Sequence, residues 1–162
     1  MGGPFTAWFE AEHVALGDQL RSCVSPGGAV DLVRFDAFRQ RLLQRIAVEE
    51  KVLFPALIAR LHAVPLYRRA VTKDHGGLVS LCAPHPSREW LEGLWEQLTA
   101  HHRVEMAEGG FCAQCDEALG TEAPALFERA RAVPVVVLPA TGPGHTVRQR
   151  IAELLVATGL SS

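Results

Sequence analysis

The sequence predicts an all-α fold, an antiparallel up-down-up-down four-helix bundle with a C-terminal extension that ends in a short helix. Three observations predict it. Proline, glycine and serine collect in SPGGAVD at 25–31, HAVPL at 62–66 and APHPS at 83–87. The segments between them repeat apolar residues every three or four positions, the spacing of one helix face. The connections are short, which makes consecutive helices antiparallel neighbours.

The first helix is expected from about Thr6, a plausible N-cap, to about Val24, and the second from about Asp31 to about Leu61. The third covers about Leu66 to Cys82. The fourth starts after Ser87, another N-cap residue, and is expected to reach about Leu119, with Gly109 and Gly110 weakening its later part. These helices form one unit, 1–120. The remainder, 121–162, reads as an extension packed on the bundle. Its VPVVVLPATGPG stretch at 133–144 is apolar yet broken by prolines, so it is expected to be extended. Thr146 with Gln149 makes a capping box for a last amphipathic helix through Ile151, Leu154 and Leu155.

Composition removes several classes of function. A chain of 162 residues, 48% hydrophobic and 21% charged, is long enough to bury a core without cross-links. Its net charge of −2, with both signs interspersed, leaves no basic stripe for nucleic acid. No uncharged apolar run reaches about 18 residues, so no membrane span is expected. The opening MGGPFTAWFEAEH lacks a basic stretch followed by an apolar one, so no secretion signal is expected. Four cysteines in a chain of this size need form no disulfide framework, and the expected location is the cytoplasm.

The stripes that the helices would bury are not purely apolar. His13 shares a face with Phe9, Leu16, Leu20 and Val24, and Arg45 and Glu49 share one with Leu42, Ile46, Val52, Leu53 and Ala56. His75 lies between Val71 and Leu78, and the fourth helix aligns Leu91, Leu94, Leu98, His101, Glu105, Glu108 and Cys112. Ionisable groups at these places are costly to bury unless something pairs them. All lie near helix midpoints, which meet in one layer of an antiparallel bundle. His13, Glu49, His75, His101 and Glu105 can therefore converge, and imidazoles with carboxylates are the ligand set of iron, manganese or zinc. One histidine on an apolar face is ordinarily a hydrogen-bonded core residue. Five suitable residues at matching depths on four consecutive helices make a stronger case. Glu50 and His102 point about 100° away from their neighbours Glu49 and His101 and read as flanking, solvated positions.

At these residues the chain resembles the hemerythrin-like, HHE cation-binding family. That pattern is a histidine on the first helix, HxxxE on the second, one or two histidines on the third and HxxxE on the fourth. Here EAEHVAL supplies His13, RIAVEEKVLFP supplies Glu49, TKDHGGL supplies His75, and HHRVE supplies His101 and Glu105. The match spans roughly residues 7 to 119. It implies a carboxylate-bridged non-haem di-iron centre that binds or senses dioxygen, nitric oxide or oxidant.

One position departs from the pattern. Arg45 stands where the family's second-helix histidine would be, and arginine has no lone pair to donate to a metal. Three outcomes follow: two ions with water, or Glu108 as a substitute ligand, on the His13 side; one ion at Glu49, His75, His101 and Glu105; or Arg45 neutralising the glutamates in place of metal, if it does not snorkel outward. The expected function is a binding or sensing protein rather than an enzyme. The alternatives are a metal-free bundle that serves as a scaffold for a protein partner, and a weak thiol- or metal-linked redox enzyme. For the latter Cys112 and Cys115 in FCAQCDEA are the candidate redox thiols, although packing as inert thiols is the plainer reading. Cys23 and Cys82 are expected at the other end of the bundle, which argues against a four-cysteine zinc site. His62 could approach the Cys112 end, and His85 and His145 sit in loops. Gly76 and Gly77 after His75 suggest close helix approach or room for a small ligand.

Overall fold

The computed structural model describes residues 2–141 and 147–160. Among these every regular element is helical: α1 (Pro4–Ser22), α2 (Leu32–Val48), a π-helical turn (Glu49–Leu53), α3 (Phe54–Leu61), α4 (Arg68–Leu81), α5 (Arg88–Glu105), α6 (Phe111–Leu119), a 3₁₀ turn (Gly120–Glu122), α7 (Ala123–Arg131) and α8 (Val147–Thr158). No helix among the described residues is long and apolar enough to cross a membrane.

Local chemistry sets the boundaries. Asp31 caps α2 by accepting hydrogen bonds from the N–H groups of Val33 and Arg34, and Ser87 caps α5 by accepting from that of Trp90. The N-cap of α1 is Gly3 rather than Thr6, and the cap is supplied from afar. The Asp116 carboxylate on α6 accepts from the N–H groups of Gly3, Phe5 and Thr6 and from the Thr6 hydroxyl, at 2.6–3.2 Å. An anion thus satisfies the free donors of a helix start and sits at the positive end of its dipole.

The expected fourth helix is two helices. After Glu105 the chain turns through Gly109, whose φ of 68° is a left-handed conformation suited to glycine. Gly110 follows, where a Cβ would lie only 2.8 Å from the Ala107 carbonyl oxygen. The turn redirects the chain, so α6 packs against α1 and α3. α7 is a further helix, in a part of the extension for which the sequence predicts no element.

Two apolar clusters form the interior. One gathers Leu16, Leu20, Phe35, Phe38, Leu42, Ile46, Leu78 and Leu98, among others. The second gathers Phe5, Phe9, Val52, Phe54, Val71, Phe111, Cys112 and Cys115, among others. The extension joins the first cluster through Val136 and Leu154, with α8 against α2 and α4. Residues 134–141 have no regular structure and are tied to α2 by side chains. Arg39 Nη2 donates to the Pro139 carbonyl at 2.9 Å, Gln40 to Val136 at 2.9 Å and Gln44 to Val133 at 3.0 Å. Thr146 lies outside the described residues, and with it the capping box.

Asp116→Ala removes the shared cap of α1, and the expected loss is about 1–2 kcal/mol of unfolding free energy, as for other N-cap deletions. Urea denaturation monitored by circular dichroism measures it, and an unchanged midpoint would show that the cap contributes nothing.

Candidate metal centre

Along each long helix the ionisable residue lies between members of the two clusters. His13 falls between Phe9 and Leu16, Glu49 between Ile46 and Val52, His75 between Val71 and Leu78, and His101 with Glu105 between Leu98 and Phe111. The result is a polar layer across an apolar interior. One ligand atom from each of Glu49, His75, His101 and Glu105 lies within 4.8 Å of the others, and all four residues are buried.

The second helix reaches this layer through its π turn. Pro55 has no N–H, and its ring clashes with the carbonyl four residues earlier in an ordinary α-helix. Here the backbone widens just before it, and the Phe54 N–H reaches back five residues to the Glu49 carbonyl. The wider turn lets two successive glutamates reach one imidazole. Glu49 Oε2 lies 2.9 Å from His75 Nε2, and Glu50 Oε1 lies 2.6 Å from His75 Nδ1. Glu50 is therefore no solvated flank. Arg68 Nη2 at 2.5 Å and the Thr72 hydroxyl at 3.1 Å hold its carboxylate in place.

His101 and Glu105 occupy successive turns of α5. His101 Nε2 is 3.0 Å from Glu105 Oε1, and its Nδ1 is 3.5 Å from Asp74 Oδ2. Arg45 stays inside, 3% exposed, with its guanidinium carbon 5.0 Å from the centre of the Phe9 ring. Its Nε donates to Glu49 Oε1 at 2.9 Å and its Nη2 to Glu105 Oε2. Each glutamate is divided: one oxygen serves Arg45 and the other faces the two histidines. Glu49 Oε2, His75 Nε2, His101 Nε2 and Glu105 Oε1 are buried without an aligned hydrogen-bond partner, although they approach one another closely. Glu49 Oε2 with His75 Nε2, and Glu105 Oε1 with His101 Nε2, meet at ion-pair distance without hydrogen-bond alignment, and a shared cation fits the four, since buried polar atoms are ordinarily hydrogen-bonded.

The charges respond accordingly. Burial disfavours the ionised form of Glu49, but the opposing His75 and Arg45 hold its pKa well below the carboxylate range. Burial raises Glu105, with Glu49 adding to the rise against the pull of Arg45. Burial would lower His75, yet the Glu49 charge and the Glu50 hydrogen bond raise it to about 9. Glu49, Glu105 and the half-buried Glu50 thus share Arg45, Arg68 and a His75 that holds its proton more tightly than usual.

His13 is not among the four. Its ring stacks on His102 at 4.1 Å and on Trp95 at 4.7 Å, and its Nδ1 is buried without a partner. Gly17 admits this stack, because a Cβ there would meet the Trp95 ring at 2.8 Å. His102, read from the sequence as flanking, is held 4.0 Å from Glu105 Oε2. Burial, then His13 and Arg45, lower its pKa to about 4, and burial and Arg45 lower that of His13. Glu108 lies in the turn after α5 and is exposed, away from the tetrad. Cys112 and Cys115 are buried free thiols whose pKa values burial pushes up, which disfavours the nucleophilic thiolate. They lie in one apolar cluster while Cys23 and Cys82 lie in the other. His62 closes α3 in a left-handed conformation, φ 53°, and is exposed. His145 falls outside the described residues. Gly76 and Gly77 have nothing within 4 Å of an added Cβ, which removes close helix approach as their reason.

No protein-family model, no curated protein and no solved structure matches this chain.

Because the folded state resists protonation of His102, the unfolded chain takes up the proton first as pH falls. Its share of stability is complete above the ordinary histidine value of 6.5 and is lost as pH drops towards about 4. Melting temperatures of chelator-treated protein should fall over that window, and His102→Gln should flatten the fall; an identical slope in the variant would contradict the assignment. In the native fold, Ellman's reagent should label Cys112 and Cys115 only after denaturant is added, and rapid labelling without it would overturn their reading as inert thiols.

Proposed function

We propose that this protein binds one divalent transition-metal ion through Glu49, His75, His101 and Glu105, with Arg45 occupying the place of a second ion in a hemerythrin-like bundle. The observation that carries the proposal is the set of four buried atoms, one from each residue, that lie within 4.8 Å of one another in ion-pair contact without hydrogen-bond alignment. Two imidazoles and two carboxylates suit iron, manganese or zinc. The outer contacts agree. Each histidine turns Nδ1 to a carboxylate, Glu50 or Asp74, and leaves Nε2 for the ion, the orientation that fixes metal-binding imidazoles. The bundle is antiparallel in this reading: α1 and α4 run from the Phe9–Val71 cluster towards the Leu16–Leu78 cluster, whereas α2 and α5 run the other way. Iron at this position would supply binding of dioxygen or nitric oxide, the role that the resemblance implies. His75, His101 and one oxygen each of Glu49 and Glu105 would hold the ion, while the other oxygen of each glutamate stays on Arg45.

A second reading has its own support. Arg45 already pairs both glutamates and His75 faces Glu49, which supports a metal-free bundle serving a protein partner.

Elemental analysis separates the two, on protein purified anaerobically with iron supplied and aerobically without it. The expected content is about one ion per chain, falling towards none in His75→Ala and His101→Ala and rising in Arg45→His. No metal in either the wild type or Arg45→His would leave the scaffold reading.

A further inference from the structure

Two surface grooves touch the shell of the tetrad. The first, 520 Å³, reaches Arg45 and is also lined by Arg41 and Arg131. The second, 570 Å³, lies between α4 and α5 and is lined by Asp74, Gly77, Gln97, Ala100 and His101, with Lys73 also on its wall. Glu49, His75 and Glu105 line neither. Of the four ligands only His101 lines one of these grooves, the second; at the first, Arg45 stands in front of the tetrad.

The grooves differ in what they offer a cation. At the first, a permanently charged guanidinium stands between solvent and the glutamates. At the second, a carboxylate does. The Asp74 side chain is 46% exposed, and its Oδ2 lies 3.5 Å from His101 Nδ1, at the outer limit of a hydrogen bond. The same imidazole faces the tetrad through Nε2, 3.0 Å from Glu105 Oε1. One imidazole thus spans the distance from the groove to the centre. Gly77 keeps the groove wall low, in a helix where glycine is costly and no neighbour requires it.

We propose that the α4–α5 groove is the entry path for a divalent transition-metal cation, that Asp74 is its first, transient ligand, and that His101 turns to pass the ion to the tetrad. The proposal rests on the metal reading above. An ion that arrives hydrated exchanges water for the Asp74 carboxylate, then for His101, and is last enclosed by Glu49, His75 and Glu105.

Stopped-flow mixing of the chelator-treated full chain with cobalt(II), followed by its visible ligand-field absorption, tests this. Gly77→Leu places a side chain in the groove where the structure has open space, so the fold should tolerate it. Asp74→Asn removes the entry charge. Both should slow loading, Asp74→Asn by roughly tenfold, the low end of what a charged cleft adds to an on-rate. In Gly77→Leu, chelator extraction should slow equally and leave the equilibrium affinity unchanged, as a blocked path requires. Arg131→Ala, on the other groove, should load at the wild-type rate. Wild-type loading in both groove variants, with cobalt bound stoichiometrically, would overturn the path and leave the metal centre standing. Faster release with unchanged loading in Asp74→Asn would make Asp74 a positioning residue only and overturn its entry role. Equal slowing in Arg131→Ala would overturn the choice of groove. No cobalt uptake by the wild type would overturn both the path and the metal reading.

Discussion

The interaction on which the rest depends is the pairing of one buried arginine with two buried glutamates. Glu49 and Glu105 are fully enclosed, and Arg45 is nearly so. Removing a carboxylate from water costs several kcal/mol even after relaxation, and each lone pair left unused adds to that cost. Arg45 answers one oxygen of each acid and leaves the other to the histidines. A guanidinium is suited to this because its donors lie in one plane at fixed angles and its charge does not titrate. Arg45 alone cannot balance both buried acids, so His75, which also meets the Glu50 carboxylate held by Arg68, gains affinity for a proton, while burial and the Glu49 charge push Glu105 up. The layer is arranged around positive charge, and a divalent ion is the species that would satisfy the remaining atoms at once.

This arrangement costs the protein a continuous core. The polar layer divides the apolar interior into two clusters, and replacing buried ionic groups with well-packed apolar ones is often neutral or stabilising. Other parts of the molecule act to hold the layer. Asp116 ties the start of α1 to α6, the side chains of Arg39, Gln40 and Gln44 fasten the tail to α2, and Phe9 covers the guanidinium face. The π turn belongs to the same set. It places Glu50 on His75 Nδ1 while Glu49 approaches Nε2, which fixes the ring from both sides.

Much of this was legible in the sequence. Breaks at 25–31, 62–66 and 83–87 separate helices, and the three- and four-residue spacing places Glu49, His75, His101 and Glu105 on inward faces. What was not legible depends on departures from ideal helix geometry or on long-range contact. Glu50 looked solvated because a regular helix turns it away from Glu49; the signal that could have corrected this was Pro55, a proline inside an otherwise uninterrupted helical pattern. The end of α5 depended on Gly109 adopting a positive φ, and with it Glu108 moved from the inner stripe to solvent. His102 could not be assigned from spacing, since its burial comes from stacking on His13 of another helix. Asp116 as the cap of α1 joins residues more than a hundred positions apart, beyond any local motif.

The most direct single measurement is a crystal structure of the cobalt-loaded protein with anomalous scattering recorded at the metal edge. The expected result is one anomalous peak enclosed by Glu49, His75, His101 and Glu105, with Arg45 still bound to both glutamates. Two peaks with Arg45 displaced, or no peak within the polar layer, would contradict a single ion held opposite a fixed guanidinium.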